Sequence, residues 1–101
     1  IGPGAGVSKM TIQKTSYLLK NVKYVIADAD ALTSFRRKTN HLHKLLDENK
    51  IITPHIKEFK TIFPDLKKIN NQKKLIISAL KKTNATIVLK GSHTLIGNKK
   101  N

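Results

Sequence analysis

The stretch IITPHIKEFKTIF (Ile51–Phe63) changes its hydrophobic period in the middle. Ile51 and Ile52 belong to a β-branched run that reads as a short strand over Lys50 to Thr53. Pro54 ends it, because proline has no N–H to give a ladder and its fixed φ suits the start of a helix. From His55 to Phe63 the apolar positions Ile56, Phe59, Ile62 and Phe63 then fall at helical spacing, and Pro64 stops the pattern. A strand, a polar corner and a helix within so few residues are the repeating unit of an α/β fold.

The flanking sequence repeats that unit. IGPGAG is too glycine-rich for the interior of a helix or strand, and Ser8 is placed to cap a helix over Lys9 to Lys20 that ends near Asn21. Val22 to Ile26 reads as a buried strand, with Asp28 and Asp30 where it stops. Thr33 to Lys38 is a connection, and His41 to Asn49 is a short helix with Leu42, Leu45 and Leu46 on one face. Asn70 to Lys82 is a further amphipathic helix. ATIVLKG follows as a third strand ending at Lys90-Gly91, and Thr94 to Ile96 starts a fourth. The alternation predicts one α/β domain over residues 1–101, with a mostly parallel sheet, crossover helices and functional groups beyond the carboxyl ends of the strands.

Composition narrows the function classes. No cysteine is present, so disulfides and thiolate zinc sites are excluded, and a reducing, cytoplasmic location is the simplest expectation. No run approaches the ~18 apolar residues of a membrane span, so no membrane partner is expected. Twenty Lys and Arg against six Asp and Glu give a net charge of +14, which brings nucleic acid into consideration. The lysines are scattered, however, and the five aromatics are not interleaved with them as a stacking platform requires. The same bias toward Ile, Lys and Asn also follows from an AT-rich coding sequence, so a basic nucleic-acid binder is the weaker reading.

Three polar corners follow the three strands: Asp28 and Asp30; Thr53, His55 and Glu58; Lys90, Gly91 and Thr94. Each has a plain structural alternative. The aspartates could cap the next turn, His55 could bond its own helix N-terminus, and Lys90-Gly91 could be an ordinary strand exit. If the strands are parallel neighbours, all three corners share one edge. Such an edge suits a phosphorylated nucleotide, with Lys90 as a compact charge, Gly91 permitting close backbone approach and Thr94 supplying a hydroxyl. Gly2, Gly4 and Gly6 could present backbone N–H groups to an anion, although they form neither a dinucleotide fingerprint nor a P-loop. His41, His43, His55 and His93 make no metal-ligand set.

The ordered blocks IGPGAG, VIADADAL, IITPHIKEF and TIVLKGSHTLI resemble the C-terminal, ribokinase-like domain of the YjeF family, the ADP- or ATP-dependent NAD(P)H-hydrate dehydratases. The resemblance covers essentially the whole chain. It implies a partial ribokinase-like three-layer fold lacking N- and C-terminal portions. The activity it implies is a lyase-type repair reaction: ATP or ADP, with Mg2+ as an accompanying ion, phosphorylates the hydroxyl of hydrated NADH or NADPH, and loss of phosphate restores the dihydronicotinamide. On this resemblance Gly4, Gly6 and His55 contact the hydrated dinucleotide. Lys90, Gly91, Ser92, His93 and Thr94 hold the adenine nucleotide, and Asp28, Asp30, Thr53 and Glu58 support the corners.

Two departures bear on activity. Ile56-Lys57 stands where the family has Pro-Gly, and the family's Gly-x-Gly-Asp motif, source of the anion hole and the catalytic base, is not found before Asn101. No catalytic residue is therefore assigned, and the expectation is a decayed gene product or one fragment of a split gene with a complementary partner, inactive alone. A residual nucleotide-binding module without catalysis is the alternative, so the sequence leaves open whether this chain is itself an enzyme.

Overall fold

The computed structural model describes residues 9–99. In chain order these form α1 (Lys9–Asn21), β1 (Val25–Ala27), α2 (Ala29–Thr33), α3 (Thr39–Leu45), β2 (Lys50–Ile52), α4 (Ile56–Ile62), a 3-10 turn (Pro64–Leu66), α5 (Gln72–Ala79), β3 (Thr86–Lys90) and β4 (Thr94–Gly97). The strands make a single sheet in the order β1-β2-β3-β4. β1, β2 and β3 are parallel, with Ala27 beside Ile52 and Ile52 beside Ile87, and β4 returns antiparallel to β3.

The expected alternation is present, with four differences of local origin. The first strand begins at Val25 because the helix before it overruns: Val22 N–H still bonds Leu18 O at 2.8 Å. A short helix, α2, occupies Ala29 to Thr33, which the sequence reading divided between the Asp-Ala-Asp corner and the connection after it. α3 ends at Leu45 because the Asp47 carboxylate accepts from Asn49 N–H (2.9 Å) and turns the chain toward β2. α5 starts at Gln72 because the Asn71 side chain accepts from Lys74 N–H (3.0 Å) as its N-cap.

The core lies between one face of the sheet and the helices. Ala27, Ile52, Ile87 and Leu89 from the strands meet Leu32, Phe35, Leu42, Phe59, Ile62, Phe63, Leu75 and Ala79, all essentially inaccessible to solvent. Truncating any of the three phenylalanines to alanine would cost about 3–5 kcal/mol, a large share of the stability of so small a core. β4 reaches α5 closely: a side chain on Gly97 would bring its Cβ to 2.5 Å from Ile76 Cγ2. Lys50 is buried at the start of β2, where its ammonium donates to Lys23 O (2.8 Å) and to Asp47 (3.2 Å), tying the entries of β1 and β2 together. The opposite sheet face is largely uncovered, with Ile26 63% and Ile96 69% exposed. The described residues thus form a sheet and one helical layer. Among them no helix is long and apolar enough to cross a membrane.

His43 joins α3 to α4. Its Nε2 lies 2.7 Å from Ile62 O, and its ring stacks on Phe63 at 4.6 Å. The neutral ring donates to that carbonyl, and burial lowers its pKa below the usual 6.5. As pH falls, the unfolded chain takes up this proton first, so the contribution is full above about pH 6.5 and is lost as pH drops toward the lower folded-state value. Denaturant midpoints measured at about pH 7.5 and about pH 5.5 should fall more for the wild type than for His43→Gln. An equal fall in both proteins would assign the pH dependence to another group.

Candidate functional site

The parallel register sets the three polar corners side by side at the carboxyl edge of the sheet. Beyond Ile52 the chain stays in the sheet: Thr53 N–H bonds Ala27 O (3.1 Å) on one side, and Pro54 O accepts from Lys90 N–H (2.9 Å) on the other. His55 and Lys90 then form an isolated parallel bridge. Asp28, Thr53, His55 and Lys90 therefore follow one another across neighbouring strands, as parallel strands at this edge require.

His55 is the N-cap of α4. Its Nδ1 accepts from Glu58 N–H (3.2 Å), and the Glu58 carboxylate accepts from His55 N–H (3.0 Å), a reciprocal capping box. The structural alternative weighed for His55 is thus present in full. The Glu58 carboxylate also lies 3.5 Å from His55 Nε2, while the histidine side chain stays about half exposed and glutamate 14% exposed. With Nδ1 used as acceptor, the neutral ring carries its proton on Nε2, the atom beside the Glu58 carboxylate.

Lys90 ends β3, and residues 91–93 turn the chain back into β4, where Thr94 pairs with Lys90. Lys90, Ser92, His93 and Thr94 are exposed at this hairpin, and Gly91 N–H bonds His93 O (3.1 Å). A Cβ at Gly91 would lie 2.7 Å from both Gln72 Nε2 and Ile56 Cδ1, so the ends of these two side chains would have to shift to admit it. Gln72, which sequence reasoning did not single out, lies against the loop, its Nε2 donating to His93 O (2.8 Å) and its Oε1 accepting from Ser92 Oγ (3.1 Å). Only its position directly after the Asn71 cap hinted at it.

Asp28 sits at the start of α2, where its carbonyl accepts from Leu32 N–H (3.2 Å). Its Oδ1 is buried without a hydrogen-bond partner among the described residues, a costly state for a carboxylate oxygen. Gly4, Gly6, the Ser8 cap and the Asp30 side chain lie outside the described residues. Among the described residues no three His, Cys, Asp or Glu side chains converge as a metal site.

This edge, on a mostly parallel sheet, belongs to a ribokinase-like α/β protein. A crystal structure of a ribokinase-like superfamily protein from Enterococcus faecalis superposes with a TM-score of 0.76 at 25% identity, over 98% of this chain and 35% of that one. A family model for NAD(P)H-hydrate dehydratase matches residues 1–101, and the chain belongs to that family. The bifunctional NAD(P)H-hydrate repair enzyme Nnr of Thermosynechococcus vestitus is 32% identical over 95% of this chain. The chain spans 19% of the length of that relative.

Because His55 caps α4 through its ring, His55→Ala should cost about 1 kcal/mol while His55→Asn keeps most of that stability. Urea unfolding of the two variants checks this; equal loss in both would mean that the ring's other contacts, and not the cap, carry the effect.

Proposed function

We propose that this chain forms the nucleotide-facing part of an NAD(P)H-hydrate dehydratase domain, in which an adenine nucleotide, ATP or ADP, meets hydrated NADH or NADPH at the carboxyl edge of the sheet. The observation that supports it most is the bridge between His55 and Lys90, which joins the corner implied for the dinucleotide to the corner implied for the nucleotide. In this reading the Lys90 ammonium and the Thr94 hydroxyl receive phosphate oxygens, and the hairpin backbone at Gly91 approaches the nucleotide closely. His55 Nε2–H donates a hydrogen bond to the hydrated substrate, and Glu58 holds the ring in that orientation. Thr53 and Asp28 border the same edge, with Asp30 and the Gly4 and Gly6 loop proposed beside them.

The donor set fits a nucleotide's phosphates better than a protein-held metal, since no carboxylate cluster is present among the described residues. An accompanying Mg2+ would be carried chiefly by phosphate oxygens, as is usual for that ion. The nucleotide supplies the phosphoryl group that turns the substrate hydroxyl into a leaving group. This chain's residues bind and orient. No Asp or Glu side chain occurs between Lys90 and Asn101, and we propose that residues 1–101 bind and orient without supplying the base that takes the proton from that hydroxyl.

Two measurements on the 101-residue chain test the reading. Calorimetry with ADP and ATP should show binding, and the chain mixed with hydrated NADH and either nucleotide should not restore dihydronicotinamide absorbance. No heat with millimolar nucleotide would remove the binding claim. Appreciable turnover would instead place a catalytic base within the chain.

A further inference from the structure

Gln72 is the first residue of α5, directly after the Asn71 cap, and both polar atoms of its amide are committed to one loop. Nε2 donates to His93 O at 2.8 Å, and Oε1 accepts the Ser92 hydroxyl proton at 3.1 Å. His93 O accepts from Gly91 N–H as well, at 3.1 Å, so a single carbonyl holds the turn from two sides. Gly91 fits because it has no Cβ, which would press on Gln72 and on Ile56 at the start of α4. The loop is thus pinned between the first turns of two helices.

We infer that Gln72 is a positioning residue for the adenine nucleotide, an inference that rests on the nucleotide reading of Lys90 to Thr94. The clamp sets the path of residues 91–93 and so the face that the hairpin backbone, between the ladder-held Lys90 and Thr94, presents to the nucleotide. Ser92 acts inward: its proton goes to Gln72, and its part is to hold the loop. The fold itself does not depend on the clamp. Loop residues 91–93 are exposed, and β3 and β4 remain paired at four positions from Ile87–Gly97 to Lys90–Thr94. Loss of the amide donor therefore alters the loop while leaving the core intact.

The test is Gln72→Glu in the 101-residue chain, which keeps an acceptor for Ser92 and puts a carboxylate oxygen against His93 O. Nucleotide binding is followed by the amide shifts of Lys90 to Thr94 on titration with ADP and with ATP, alongside thermal melting. Expected are shifts in the wild type, affinity about tenfold weaker in Gln72→Glu near pH 7.5, and an unchanged melting midpoint. Relative to the wild type at each pH, that deficit should shrink toward about pH 4, as the introduced carboxyl takes up a proton and donates again. Equal affinity in the two proteins overturns the inference while leaving the nucleotide reading standing. A deficit that ignores pH and comes with a lowered melting midpoint also overturns it, since that is a structural effect alone. Absence of shifts in the wild type with either nucleotide overturns the nucleotide reading, and this inference with it.

Discussion

The hydrogen bond from Lys90 N–H to Pro54 O, 2.9 Å long, is the constraint on which the candidate site depends. Proline cannot donate toward a neighbouring strand, and here its missing N–H costs nothing, because the contact with β3 is made through its carbonyl. Thr53, one residue earlier, still has an N–H and uses it on Ala27 O toward β1. The exit of β2 is therefore held from both sides before α4 begins. A chain that left the sheet at Ile52 would swing the His55 cap away from Lys90, and the two corners would become unrelated surface features.

The order of elements was legible wherever one residue type settles the local geometry. Pro54 and the His55–Glu58 spacing announced a strand ending in a capped helix, and the run Thr86 to Leu89 announced a buried strand. What escaped reading depended on contacts distant in sequence or on competing local bonds. Val22 and Tyr24 look like strand residues, yet Val22 is still bonded to the end of α1, and Tyr24 is 69% exposed. Lys50 looks like one more surface lysine in a basic chain. Its burial is compensated by a carbonyl from Lys23, which no pattern near Lys50 reveals. Gln72 is the corresponding case at the site, since its partners lie about twenty residues further on.

The two sheet faces carry different amounts of the structure. Register places Ile26 beside Ile51, and Val88 beside Ile96, on the face away from the helices. Parallel strands are ordinarily covered on both sides, and here that face remains apolar and accessible. This fits a chain that spans 35% of the ribokinase-like structure it superposes on.

The capping role of His55 and its implied ligand role turn out to be compatible, and one follows from the other. A histidine that accepts from its own helix through Nδ1 has no lone pair on that atom for a substrate proton, so it cannot serve there as a base. The cap leaves the proton on Nε2, with the Glu58 carboxylate 3.5 Å away to favour that arrangement. Asparagine or serine would cap α4 as well, yet neither would carry a donor out from the helix end on a rigid ring. The residue thus does on Nδ1 what the fold requires, and its half-exposed ring keeps Nε2 beside the Glu58 carboxylate at the same corner.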